Sequence, residues 1–257
     1  MGCLTFKAHI MKQKTFFASS LIIASLAFTS VSRAPDAPSV DSILTNHLTA
    51  IGGKAALEKI SSRVMKIKIH SETLGDSDGM LFAKTPDKVM SQIELGANGA
   101  ITEGFDGTVA WTKTPWEGLR EKTGDELAKV KRDAEFHREL KLRTLYPDLA
   151  YKGTEKVEGE DALVLESKPT PTSKERFFYS TKTSLLIRQE SELEGPQSRI
   201  IVSLLAQDYR AVDGIKYPHL LKIKISAGGQ TFEFNWNVIE VKHDVKIEDA
   251  KFTKPSA

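Results

Sequence analysis

The chain has almost no cysteine. Cys3 is the single one in 257 residues. It precedes the apolar stretch near the N-terminus, whereas the lipidated cysteine of a bacterial lipoprotein follows such a stretch. Met1-Gly2-Cys3 resembles an acylation start, but Phe6 stands where that motif wants Ser or Thr. Beyond residue 34 there is no cysteine at all, which excludes disulfides and thiolate metal ligands there. No apolar run is long enough to span a bilayer as a helix. The run at 16–28 has about 13 residues, against the ~20 that a span requires.

Catalytic signatures are equally scarce. There is no G-x-S-x-G elbow and no phosphate loop. His47, His70, His137, His219 and His243 show no metal-ligand spacing. His243 and Asp244 are adjacent, but neighbours in a strand point to opposite faces. Asp133 and Glu135 read as the charged outer face of a helix, together with His137, Arg138 and Lys141. No catalytic residue, metal ligand or cofactor is therefore assigned.

A basic excess is missing too, once the N-terminus is set aside. Lys12 and Lys14 precede the apolar run, and small residues Thr29, Ser30, Ser32 and Ala34 follow it. That order is the mark of a secretory signal peptide over residues 1–34, with Met11 as the expected start. Residues 1–34 carry Lys7, Lys12, Lys14 and Arg33 and no acid, so the mature chain keeps 32 basic against 34 acidic residues. Nothing in that balance points to nucleic acid. The expected product is exported, periplasmic and soluble after cleavage, with no integral span.

What is present is β-structure. Residues 35–39 read as a linker, and 40–257 as a single domain. An amphipathic helix or helix pair is expected over 40–60, with Leu44, Leu48 and Ile51 on one face and a break at Gly52-Gly53. The period then becomes two: Met65, Ile67 and Ile69 alternate with Lys66, Lys68 and His70. Further strands are predicted over 80–84, 88–95, 101–105 and 108–111, with a hairpin at Asp106-Gly107. Residues 125–146 predict a second helical stretch, ended by Pro147. Strands follow over 162–166, 176–180, 185–190, 199–209, 215–225 and 230–241, with Asp213-Gly214 and Gly228-Gly229 as tight turns. Residues 200–205 are apolar on both faces, which predicts a central strand under a helix. About ten strands joined by tight turns make an antiparallel meander, and a sheet that long has to curve.

A strongly curved sheet leaves a concave interior. Trp111, Phe136, Phe232, Phe234 and Trp236 are the candidate lining residues, with ordinary core packing as the competing reading. Gly52-Gly53 and the 115–123 connection are candidate hinges for the helices.

Five segments carry a family resemblance. They are AIGGKAALEKISSRVMKIKI (50–69), GFDGTVAWTKTP (104–115), KRDAEFHRELKLRTLYPDLAYKGTEKVEGEDALVLE (131–166), DYRAVDGIKYP (208–218) and DVKIEDAKFTKP (244–255). In this order they resemble the outer-membrane lipoprotein-sorting superfamily of LolA/LolB-type carriers, in a branch of uncharacterised exported bacterial proteins. The resemblance implies a mainly β fold with some α: a half-open antiparallel β-barrel with a helical lid over an apolar cavity. It also implies binding of a lipid or the acyl chain of a lipoprotein, and an acylated protein as partner. The expected function is a periplasmic hydrophobic-ligand carrier or sensor. The alternatives are a structural or interaction module with an envelope protein partner and, more remotely, an exported hydrolase.

Overall fold

The computed structural model describes residues 37–73, 75–194 and 198–256. The expected leader, 1–34, and the first two linker residues lie outside them. Helix α1 (Val40–Ala50) starts where Ser39 accepts a hydrogen bond from the Ser42 amide through its hydroxyl, at 3.1 Å. A short helix α2 (Lys54–Lys59) follows. Strands β1 (Ser62–Ser71), β2 (Gly75–Lys84), β3 (Lys88–Glu94), β4 (Ala100–Phe105), β5 (Ala110–Thr114) and β6 (Gly118–Glu121) form the first half of the sheet. Helices α3 (Gly124–Ala134) and α4 (Arg138–Leu145) interrupt it. The second half is β7 (Ala150–Val157), β8 (Glu160–Thr170), β9 (Ser173–Ser180), β10 (Leu186–Glu194), β11 (Arg199–Val212), β12 (Ile215–Ala227) and β13 (Gln230–His243).

The thirteen strands of the described residues form one antiparallel sheet in the order β6-β5-β4-β3-β2-β1-β13-β12-β11-β10-β9-β8-β7. The first and last long strands pair with each other, Ile67 opposite Val238 and Ile69 opposite Trp236. Strands β6 and β7 are the two edges, so the sheet does not close into a barrel. Two of the strands that periodicity left unassigned are those edges. Both are rich in charge and glycine, as solvent-facing edge strands tend to be.

Two-residue turns form as read at Asp213-Gly214 and Gly228-Gly229, whereas the hairpin at Asp106-Gly107 closes through a four-residue loop, with Phe105 opposite Ala110 and residues 108 and 109 outside the strand. Asp213 and Gly214 both have positive φ, 50° and 82°, in a two-residue turn between β11 and β12. Glu158 and Gly159 do the same between β7 and β8, at 49° and 83°. At the 106–109 turn the Asp106 carboxylate accepts the amides of Thr108 (2.9 Å) and Val109 (2.8 Å), and Gly107 supplies φ 98°.

Register separates the two faces. On one face lie Arg63, Met65, Ile67 and Ile69 of β1, with Ala83, Leu81 and Gly79 opposite them on β2. The same face carries Val89 and Phe105, against which Ala134, Leu127 and Val130 of α3 pack. It also carries Leu165, Phe177 and Tyr179, which bury Leu142 of α4 and Ile43 and Leu44 of α1. Helices α1, α3 and α4 therefore sit on one side. The other side is covered near β1–β3 by the C-terminal segment, where Ile247 and Phe252 bury Met90, Val64 and Phe82.

Gly52 is a point of close approach. A Cβ there would lie 2.2 Å from the Gly214 carbonyl oxygen, at φ 127°. The Lys216 amide donates to the Ile51 carbonyl oxygen at 2.8 Å, pinning the α1–α2 junction to the β11–β12 hairpin. The expected hinge at Gly52 is thus anchored to the sheet. The second candidate hinge, 115–123, contains edge strand β6.

Candidate functional site

The helical side of the sheet holds a cavity of about 500 Å³. Its walls come from Met65, Leu81 and Ala83 on one arm of the sheet, and from Leu193, Ile200 and Val202 on the other. Val130 and Ala134 of α3 roof it. Strands β4 and β10 both reach this cavity, yet they lie seven strand spacings apart in the sheet order. At ~4.8 Å per spacing a flat sheet would hold them ~34 Å apart, so the sheet curls and this side is its concave face. Strand β11 lies inside the sheet, as predicted. Its Ile200 and Val202 face the cavity rather than a packed helix, and Ile200 stays 36% exposed.

Charged groups line the roof. Lys129 of α3 bonds Asp133 at 2.7 Å and reaches Glu175 of β9 at 3.3 Å. Glu175 is 1% exposed and accepts the Ser191 hydroxyl at 2.7 Å and the Gln189 amide at 3.3 Å. A buried carboxylate needs this number of partners. Burial alone would lower the Lys129 ammonium, but Asp133 and Glu175 reverse this and hold it above its ordinary value. Burial would likewise raise Asp133, and Lys129 and Arg138 hold it below.

A second cavity of about 350 Å³ adjoins the first, sharing Arg63, Met65 and Asp133 in its walls. Here His47 of α1 hydrogen-bonds the Ser184 carbonyl oxygen (3.0 Å) and pairs with Glu139 of α4 (3.3 Å). Burial would raise Glu139, yet the neighbouring His47, Arg138 and Arg63 depress it. Arg138 donates to the Tyr146 hydroxyl at 3.2 Å and lies over the Phe177 ring, 5.5 Å from its centroid. Sequence alone read Asp133 and Arg138 as outer helix surface. The structure turns both toward the concavity, because the bend at Glu135 between α3 and α4 resets which face of the segment meets the sheet.

The five predicted lining residues fall in three places. Phe136 walls the second cavity. Phe232, Phe234 and Trp236 lie on the concave face, opposite Ile225, Ile223 and Leu221, half-buried and outside the walls of both cavities. Trp111 borders the first cavity, but its indole is engaged on the convex side. It lies against Gly104, which shares its face with Met90, and its Nε1–H donates to the Phe252 carbonyl oxygen at 2.9 Å. Periodicity missed Met65, Leu81, Leu193, Ile200 and Val202 as lining residues, since aliphatic residues on an apolar strand face carry no mark of what they face. Among the described residues no group of three or more His, Asp, Glu or Cys is placed to hold a metal ion, and no helix is long and apolar enough to cross a membrane.

A curled, open antiparallel sheet with helices in its concavity over an apolar cavity defines the class: a half-open barrel with a helical lid. No family model and no curated protein sequence matches the chain. Its fold is LolA-like. It is similar to a DUF1329 family protein from Desulfovibrio piger, with a TM-score of 0.55, 14% identity and coverage of 84% of this chain and 98% of that one. It is similar to an outer membrane lipoprotein-sorting protein domain from Vibrio parahaemolyticus (TM-score 0.54, 12% identity, 82% and 96% covered). It is also similar to a LolA superfamily protein from Nitrosomonas europaea (TM-score 0.53, 14% identity, 85% and 99% covered).

Proposed function

We propose that the protein is a periplasmic carrier or sensor of a hydrophobic ligand, a lipid or the acyl chain of a lipoprotein, held in the trough beneath α3. The observation that carries this reading is the half-exposed aliphatic wall of the larger cavity. Met65, Leu81, Leu193 and Val202 are left partly uncovered inside a concavity of about 500 Å³, a volume typical of small-molecule sites. Burying about ten methylenes there offers ~8 kcal/mol before the cost of ordering the chain. Phe136 extends the wall on one side, and Phe232, Phe234 and Trp236 line the open apolar floor beyond the roof. Trp111 supports this wall from behind. Export by the N-terminal leader and a single mature domain from residue 40 onward complete the proposal, which involves no catalysis.

The test is direct. Protein purified from cells is expected to carry lipid detectable by mass spectrometry and, once stripped, to bind a fluorescent fatty-acyl probe saturably. Absence of both would remove the carrier reading and favour an interaction module.

A further inference from the structure

Among the described residues, one cation in the trough makes no ion pair. Arg63 is the second residue of β1 and, by the alternation of that strand, shares the concave face with Met65, Ile67 and Ile69. It stands where the two cavities meet, as part of the wall of each. Its guanidinium lies over the rings of Phe136 (5.7 Å to the centroid) and Tyr217 (5.3 Å). Among the described residues it makes no ion pair and no side-chain hydrogen bond. The carboxylates in these walls have closer partners than Arg63, although the charge of Arg63 is felt at Glu139. Asp133 is held by Lys129 at 2.7 Å, Glu139 by His47 at 3.3 Å, and Glu135 by Lys141 at 2.8 Å.

The ring beneath Arg63 is itself fixed. The Tyr217 hydroxyl lies 2.9 Å from His243 Nε2, and His243 Nδ1 lies 2.8 Å from Asp213. The carboxylate can only accept, so Nδ1–H donates to it, which orients the ring with Nε2 toward the phenol. The relay holds the aromatic platform in place beneath a guanidinium that carries a fork of N–H donors at the junction of the two cavities.

We infer that Arg63 anchors an anionic headgroup, a carboxylate or phosphate at one end of a single acyl chain whose tail lies in the larger cavity. A guanidinium binds either anion through paired N–H···O bonds, and partial removal from water strengthens them. The inference rests on the hydrophobic-ligand reading above and narrows it from any acyl chain to an anionic amphiphile.

Titration calorimetry of the purified, lipid-stripped protein with palmitate, hexadecyl phosphate and hexadecanol separates the two. Palmitate, hexadecyl phosphate or both are expected to bind roughly 10- to 100-fold tighter than hexadecanol, the range of a charge-assisted hydrogen bond. Arg63→Gln should erase that preference while leaving hexadecanol affinity unchanged. Should that variant not fold, Arg63→Met, which keeps an apolar stem over both rings, takes its place. Equal affinity of the wild-type protein for all three ligands overturns the anchor and leaves the apolar trough standing. So does an equal loss for hexadecanol in the variant. Binding of none of them removes both readings.

Discussion

Replacing Gly104 with alanine should unsettle the side of the sheet that faces away from the cavity. A Cβ at Gly104 would sit 2.5 Å from Trp111 Cε2 and Cζ2 and 2.6 Å from Nε1. Carbon atoms rest at about 3.5–4 Å, so the indole has to move by roughly 1 Å. It has little room to do so, being 2% exposed and tied to the Phe252 carbonyl oxygen. Gly104 does not have positive φ, so alanine adds no backbone strain and gains about 0.4–1 kcal/mol from the unfolded chain. Against this stand overpacking of about 1–3 kcal/mol and a compromised buried hydrogen bond of about 1–3 kcal/mol. The expected net loss is about 1–5 kcal/mol, read as a lower urea midpoint with unchanged slope. In a Trp111→Leu background the obstacle is gone, so the double-mutant cycle should show coupling of at least about 1 kcal/mol. A loss below about 0.5 kcal/mol, or the same loss in both backgrounds, would refute the packing argument. Acyl-probe affinity of the folded variant should match wild type, because the indole lies behind the cavity wall.

Other perturbations probe the trough and its supports. Val202→Asp places a charge on the half-exposed aliphatic wall and should reduce fatty-acyl binding at least about tenfold, with circular dichroism unchanged; retained affinity would move the ligand elsewhere. Lys129→Met leaves the buried Glu175 without its cation and should cost about 3 kcal/mol in urea unfolding. Asp106→Ala removes the acceptor for two turn amides and should cost about 1 kcal/mol. Asp249, on the C-terminal segment, is held down to about 2 from an ordinary 3.8 by hydrogen bonds from Lys84 and Lys88. A carboxyl depressed on folding stabilises above its unfolded value, and that contribution is lost as pH falls from about 4 toward about 2. Asp249→Asn should therefore flatten the acid side of the stability profile in that window, and an unchanged slope would count against the lysine clamp.

Much of the fold was legible because it is locally encoded. Alternation at Met65, Ile67 and Ile69 marked a one-sided strand. Asp213-Gly214 marked a two-residue turn through the φ angles it tolerates, and Asp106-Gly107 marked a hairpin whose loop is four residues long. The helical interruption before Pro147 was visible from period and composition. Arg63 could have been noticed too, since it continues the apolar face of β1 as its one charged member. Edge strands β6 and β7 escaped because charge and glycine mask alternation.

The sequence by itself determined the elements and their faces, since side-chain period and turn stereochemistry act within a few residues. It could not say which residues meet across the concavity, because that depends on strand order and on how far the sheet curls. Lys129 finds Glu175, Trp111 finds Phe252 and His243 finds Asp213 only after β1 pairs with β13 and the arms of the sheet turn inward. The same closure left Ile200 and Val202 facing the cavity and Arg63, among the described residues, without an ion pair. Each of these contacts spans tens of residues or more along the chain. No local pattern records such a pairing, so tertiary structure alone decided where the trough lies and what charge it presents.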